Sequence, residues 1–142
     1  MMSELRTVID TGVAVSAVLL SHSVPRQAFD LAVERGRLLI SAATIAELDE
    51  VLRRPKFDKY VSEKQRLEFL AALVRDAELV EVTEQIAECR DPRDDRFLEL
   101  AVSGGATHIV SGDADLLVLH PFRGIAIATP QEFVSVESTD GG

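Results

Sequence analysis

Acidic side chains follow short apolar runs at four separated places in this chain. The acids at these places are Asp10, Glu47, the pair Asp94 and Asp95, and the pair Asp113 and Asp115. Carboxylate oxygens are the hard ligands that Mg²⁺ or Mn²⁺ prefers. If brought together, these carboxylates repel one another unless a bound cation compensates them. Such a site suits phosphoryl chemistry, in which a divalent ion activates water and stabilises the departing oxygen.

The segments that position these acids alternate between strand-like and helix-like patterns. Short apolar runs predict strands at 7–10, 38–41, 79–82, 108–111 and 125–128. A loop is expected after the first strand. Helices are then expected from Pro25 to Gly36, from Thr44 to just before Pro55, from Ser62 onward, and from Asp94 to Gly104.

Strands that alternate with helices predict an α/β fold with a mostly parallel central sheet, flanked by helices on both faces. We expect one domain over residues 1–136 and a flexible tail over 137–142. Because the carboxyl ends of parallel strands meet at one edge of a sheet, the acidic segments should converge there.

Each acid taken singly also has a structural explanation. Thr44 and Glu47 have the spacing of a capping box, Asp94 or Asp95 can cap a helix, and Asp113 can form a turn. The joint pattern favours a metal site, because independent caps need not converge on one edge.

Five segments in this order resemble the PIN-domain nucleases, and among them the VapC-like toxins of bacterial and archaeal toxin–antitoxin pairs. They are Val-Ile-Asp-Thr at 8–11, Thr-Ile-Ala-Glu-Leu at 44–48, Asp-Pro-Arg-Asp-Asp-Arg-Phe-Leu-Glu-Leu-Ala at 91–101, Ile-Val-Ser-Gly-Asp-Ala-Asp-Leu-Leu at 109–117, and Thr-Pro-Gln-Glu-Phe at 129–133. The resemblance covers nearly the whole chain.

The resemblance implies a PIN-like domain and a metal-dependent endoribonuclease that leaves a 5′-phosphate and a 3′-hydroxyl. The residues that match the family's acidic quartet, and would bind Mg²⁺ or Mn²⁺, are Asp10, Glu47, Asp95 and Asp113. Asp95 matches the helix register of the family better than its neighbour Asp94 does. Asp115 is then an outer ligand, and Thr11 and Ser111 are supporting hydrogen-bond donors. The implied partners are an RNA substrate, a separately encoded antitoxin and a second copy of the chain in a homodimer.

One position departs from the family pattern. Gly12 stands where the family usually has Asn after Asp-Thr, so an amide that could orient the first acid is missing. Gly12 also weighs against a phosphohydrolase of the haloacid-dehalogenase type, which needs a second Asp there. A non-catalytic PIN-like module that binds RNA or protein remains the alternative.

Two further groups of residues have open roles. Arg93 and Arg96 lie beside the third acidic segment, where they are either candidate RNA contacts or solvated surface residues. The apolar positions Leu67, Leu70, Ala71 and Val74 have the helical period and are expected to face the core. The family resemblance also allows some of them to contact a second copy or an antitoxin.

Composition narrows the classes of protein that fit. The net charge of −9 argues against a protein that coats nucleic acid by bulk attraction. The single cysteine, Cys89, forms no intramolecular disulfide, which favours a cytoplasmic protein. No apolar run reaches the roughly 20 residues of a membrane span, and the first residues lack a signal-peptide profile. We therefore expect no membrane association.

Overall fold

The computed structural model describes residues 4–140 and their side chains through residue 138. Its strands are β1 (Leu5–Ile9), β2 (Gly36–Ile40), β3 (Glu78–Leu79), β4 (His108–Val110) and β5 (Ala126–Ala128). Its α-helices are α1 (Thr11–Leu19), α2 (Val24–Arg35), α3 (Ala42–Leu52), α4 (Glu63–Asp76), α5 (Asp95–Ser103), α6 (Ala114–Leu117) and α7 (Pro130–Asp140). Short 3₁₀ helices at Pro55–Phe57 and Pro92–Asp94 follow α3 and precede α5.

The five strands form one parallel sheet in the order β3-β2-β1-β4-β5. Strand β1 lies at the centre, where Thr7 pairs with Leu38 of β2 and with His108 of β4. Parallel neighbours need crossover connections, and the helices of this chain provide them. The predicted α/β fold with a parallel sheet is therefore confirmed, and the carboxyl ends of the strands share one edge.

Hydrophobic cores cover both faces of the sheet. Because side chains alternate along a strand, Leu39 packs on the face of α5 and α6, whereas Leu38 packs on the opposite face. The second core receives residues from α1, α2, α3, α4 and α7. Within the described residues, no helix is long and apolar enough to cross a membrane.

The first helix is a difference from the sequence prediction, which expected a loop after β1. Helix α1 buries Val13, Ala14, Val15, Ala17 and Val18, so nearly its whole surface is covered. A helix that is apolar all round lacks the one-sided period by which helices are recognised.

The buried face of α4 also differs from the prediction. The buried residues are Arg66, Leu70 and Leu73, whereas Ala71 is exposed and Val74 is 44% exposed. The predicted face leaves out Arg66, which takes a core position because its guanidinium finds hydrogen-bond partners there. Part of the predicted apolar face is therefore surface.

The carboxyl-terminal helix extends past the expected domain boundary at residue 136. Helix α7 continues to Asp140, and Glu137 lies 3.2 Å from Nε2 of His108 at the start of β4. Residues 137–140 are thus helical in the structure. The last two residues of the expected tail, 141 and 142, lie outside the described residues.

Candidate active site

A cleft of about 470 Å³ opens at the carboxyl edge of the sheet. Its lining comes from the starts of α1 and α5, the second turn of α3, the turn after β4 and the first turns of α2 and α7. The residues are Asp10, Thr11, Gly12, Val13, Ser16, Pro25, Glu47, Asp94, Phe97, Gly112, Asp113 and Pro130. Three of the acids predicted from the sequence, Asp10, Glu47 and Asp113, meet here as expected from a parallel sheet.

Asp10 is the most buried acid of the cleft, at 6% exposure. It caps α1, since its Oδ1 accepts the backbone N–H of Val13 at 2.8 Å, and its Oδ2 accepts the hydroxyl of Ser111. Burial raises the pKa of Asp10, while the Ser111 and Val13 hydrogen bonds lower it in part. The carboxylate is therefore held in one orientation in a site that disfavours its charge.

Ser111 joins two of the acids. Its hydroxyl donates to Asp10, and its Oγ accepts the backbone N–H of Asp113 at 2.9 Å. Asp113 in turn caps α6, with its Oδ1 accepting the N–H of Asp115 at 2.8 Å. Ser111 is fully buried, so this arrangement is fixed by the fold.

Glu47 enters the cleft from α3. This helix begins at Ala42 and is capped by Ser41, with Thr44 as the other half of the capping box. Glu47 lies beyond the first turn and has no capping role, contrary to the structural explanation its spacing suggested. Its Oε2 accepts the hydroxyl of Thr11, and its Oε1 lies 3.5 Å from Nη1 of Arg96.

Asp94 is the acid that the 91–101 segment contributes to the cleft. Its Oδ2 is buried and has no hydrogen-bond partner among the described residues. Burial is the largest cause that raises the pKa of Asp94 to about 7, and a hydrogen bond shared with the Asp113 carboxyl is the next. Asp94, Asp113 and Asp115 each have a carboxylate oxygen within 4.8 Å of one in both of the others.

Asp95, the residue preferred from the sequence, does not line the cleft. It is 8% exposed, and its Oδ1 accepts the backbone N–H groups of Glu88 at 3.0 Å and Cys89 at 2.8 Å. Asp94 is the last residue of the 3₁₀ helix and Asp95 is the first residue of α5, so the two carboxylates have different surroundings although they are adjacent in sequence. The structure places Asp94, rather than Asp95, with the other acids.

The donor set fits a hard divalent cation. Several carboxylates converge, one of them has a buried oxygen without a partner, and no sulfur or imidazole ligand is among the residues lining the cleft in the described part of the chain. The backbone N–H of Asp115 donates to Oδ1 of Asp113, and the Asp115 carboxylate belongs to the same group of three as those of Asp94 and Asp113.

Comparison with known proteins places the chain in a family. The model of the PIN domain family matches residues 6–115. An uncharacterized protein of Methanocaldococcus jannaschii is 27% identical over 141 residues, covering 92% of this chain and 90% of its own length.

Solved structures share the fold. One is a chain of VapBC2 from Rickettsia felis, solved in complex with a DNA fragment from the VapBC2 promoter. Its TM-score is 0.58 at 13% sequence identity, and the match covers 87% of this chain and 97% of that chain. A chain of DNA-bound VapBC from Salmonella typhimurium has a TM-score of 0.55 at 18% identity, with coverage of 98% of that chain and 89% of this one. At these identities the likeness concerns the fold alone. Because the family model spans well over half of the chain and reaches from β1 through the acids of the cleft, the protein belongs to the PIN-domain family of nucleases.

Proposed function

We propose that this protein is a metal-dependent endoribonuclease and the toxin of a toxin–antitoxin pair. The observation that carries the proposal is the gathering of Asp10, Glu47, Asp94 and Asp113 in one cleft, where a buried oxygen of Asp94 has no partner among the described residues. A cluster of this kind is costly without a cation, so its presence at a sheet edge favours a functional role.

The ion that this donor set fits is Mg²⁺ or Mn²⁺. Asp10, Glu47, Asp94 and Asp113 would hold it, with Asp115 as the outer ligand. When bound, such an ion supplies a water of lowered pKa and stabilises negative charge on a phosphodiester.

The other residues of the cleft position these acids. Ser111 fixes Asp10 relative to Asp113, and Thr11 orients Glu47 through its hydroxyl. Asp95 acts below the cleft as a positioning residue, because it anchors the backbone at Glu88 and Cys89. Cleavage of RNA would leave a 5′-phosphate and a 3′-hydroxyl, with Arg93 and Arg96 as candidate contacts to the RNA.

Two protein partners belong to the proposal. The likeness to chains of VapBC complexes supports a separately encoded antitoxin. The second is another copy of this chain, in the homodimer that the resemblance to the VapC-like toxins implies.

The experiment is cleavage of a panel of single-stranded and structured RNAs by the purified protein with Mg²⁺, Mn²⁺ or EDTA. We expect cleavage with either metal, none with EDTA, and loss of cleavage in Asp10→Asn. If folded protein free of antitoxin cuts no RNA with either metal, the enzyme is excluded and the non-catalytic binding module becomes the better explanation.

A further inference from the structure

We propose that Arg96 contacts an RNA phosphate beside the acid cluster, and that it pairs with Glu47 until the RNA arrives. The inference rests on the proposed nuclease function and adds to it the residue by which the phosphate is held. It also ranks Arg96 ahead of Arg93, because Arg96 pairs with an acid of the cleft whereas Arg93 pairs with Asp91 outside it.

The need for such a residue follows from the charge of the cleft. Among residues 4–140, the side chains that line the cleft include three aspartates and a glutamate but no Lys or Arg. RNA phosphates are repelled by these carboxylates, so part of the attraction must come from a cation at the rim. Arg96 is that cation, with its Nη1 3.5 Å from Oε1 of Glu47 and its side chain 29% exposed.

The two neighbouring arginines differ in how firmly they are held. Arg93 is committed to Asp91, which accepts from its Nη2 at 3.0 Å and from its Nε at 3.3 Å, and it is 77% exposed. Arg96 donates one hydrogen bond, from Nε to the backbone oxygen of Arg93 at 2.8 Å. That bond fixes the base of the guanidinium. The 3.5 Å separation from Glu47 exceeds a good charge-assisted hydrogen bond, so the donors of the two terminal nitrogens are left available to a phosphate.

Space for a nucleotide lies on the other side of Arg96. A groove of about 500 Å³ is lined by Arg96, by Ala42 and Ala43 at the start of α3, and by Leu79 and Val82. Arg96 thus borders the groove and pairs with Glu47 of the cleft, so it lies between the two.

Among the described residues that line the groove, Arg96 is the one cation, so a phosphate would bind there. Glu81 and Glu99 also line it, and Oε2 of Glu99 accepts the backbone N–H of Ile86 at 3.0 Å. A phosphate bound there would contact the guanidinium in a two-point geometry, while the sugar and base lie along Leu79.

The first test measures RNA binding against salt concentration. The probe is a 5′-fluorescein-labelled single-stranded RNA of about 12 nucleotides, followed by anisotropy with Mg²⁺ present, and every variant carries Asp10→Asn so that the RNA survives. We expect Arg96→Gln to weaken binding about tenfold and to reduce the salt slope by about 0.7, the value for one phosphate contact on a single strand. Arg96→Lys should restore the slope because it keeps the charge. Arg75→Gln, an exposed arginine paired with Asp76 at the far edge of the sheet, is the matched control and should change neither quantity.

The second test measures Mn²⁺ binding by calorimetry without RNA. Removal of the cation that pairs with Glu47 leaves this carboxylate freer to bind metal, so Arg96→Gln should bind Mn²⁺ several-fold more tightly than the parent. A residue that only supports the local fold would weaken RNA and Mn²⁺ binding together. Opposite changes in the two affinities therefore support the inference, and parallel losses overturn it.

The outcomes also separate this inference from the proposed function. Suppose that the parent protein cleaves RNA with metal, but that adding Arg96→Gln to the Asp10→Asn variant leaves the salt slope of RNA binding unchanged. Arg96 is then not the phosphate contact, and the proposed nuclease function is unaffected. If the parent neither cleaves nor binds RNA, both proposals are overturned.

Discussion

Arg66 on α4 and the acids of the cleft are both charges withdrawn from water, but they have very different surroundings. Arg66 has no exposed surface, and its guanidinium donates to the backbone oxygens of Leu52 at 2.6 Å and of Val61, and to Oδ1 of Asp58 at 3.0 Å. In the cleft, Asp94 has a buried oxygen without a partner among the described residues and a like charge, Asp113, beside it.

The difference separates a structural charge from a functional one. The fold supplies acceptors for nearly every donor of Arg66, so this residue ties the end of α3 to the start of α4. The fold supplies Asp10 and Glu47 with hydrogen bonds that orient them, but it leaves a buried oxygen of Asp94 without a partner among the described residues. A buried group that the protein satisfies by itself stabilises the protein, whereas one left unsatisfied is available to a ligand.

Removal of the satisfied charge should have the largest effect on stability. Arg66→Met keeps an apolar side chain at the position but leaves the carbonyls of Leu52 and Val61 without their donor. We expect a loss of about 3–5 kcal/mol in the free energy of unfolding, measured by urea denaturation. Asp58→Asn is the control, since Asp58 is 59% exposed, and it should cost less than about 1 kcal/mol. Equal losses in the two variants would show that the ion pair, and not the carbonyl contacts, carries the stability.

Removal of the unsatisfied charge should have the opposite effect on stability and a large effect on activity. Asp94→Asn should lower RNA cleavage about 100-fold, about 2.7 kcal/mol of transition-state stabilisation. It should also raise the free energy of unfolding of the metal-free protein, because the repulsion with Asp113 is lost.

The adjacent aspartate provides the matched comparison. Asp95→Asn still accepts from Glu88 and Cys89 but without its charge, so we expect a loss of about 1 kcal/mol in stability and cleavage within about tenfold of the parent. The measurements are single-turnover cleavage and urea denaturation of both variants. If Asp95→Asn abolishes cleavage and Asp94→Asn does not, the quartet predicted from the sequence is right and the assignment of Asp94 is wrong.

Stability against pH provides a third comparison. The pKa of Asp94 is raised to about 7, above its value in the unfolded chain, so the folded protein binds more protons between about pH 4 and 7. The stabilisation from this proton is therefore lost as the pH rises through that window. Thermal unfolding without metal should show the parent losing stability relative to Asp94→Asn from pH 5 to 8. Added Mn²⁺ should stabilise the parent more at pH 8 than at pH 5, because the ion binds the deprotonated carboxylate. A difference between the two proteins that does not vary with pH would contradict the raised pKa.

The contrast between the two regions also shows which site residues can be predicted from the sequence. The positions of Asp10 and Asp113 could be predicted, because each follows a short apolar run and parallel strands end at one edge. The choice between Asp94 and Asp95 could not, since it depends on where a 3₁₀ helix passes into α5, a boundary that local sequence fixes only to within a residue or two.

A pattern of apolar residues could not predict that an arginine is buried. Arg66 is absent from the predicted apolar face, because its acceptors, the carbonyls of Leu52 and Val61, belong to the connection between two helices and have no sequence signature. Helix α1 was missed for the reverse reason. Its apolar residues, such as Val13 and Val15, surround the helix and show no single face.

The smallest expected effect concerns Gly12, the departure from the family pattern. A Cβ at this position would meet only Oδ1 of Asp10, at 3.8 Å, which is an ordinary contact, so a larger side chain fits beside the cleft. Gly12→Asn should stabilise the protein by a few tenths of a kcal/mol, since Asn is a better helix former than Gly. It should raise kcat/KM for RNA less than tenfold, because its amide adds a hydrogen-bond donor next to Asp10. Gly12→Ala stabilises the helix by up to about 1 kcal/mol without the amide and is the control. If Asn lowers cleavage where Ala does not, the space at Gly12 is occupied by the substrate, and the missing side chain is a feature of recognition rather than a loss.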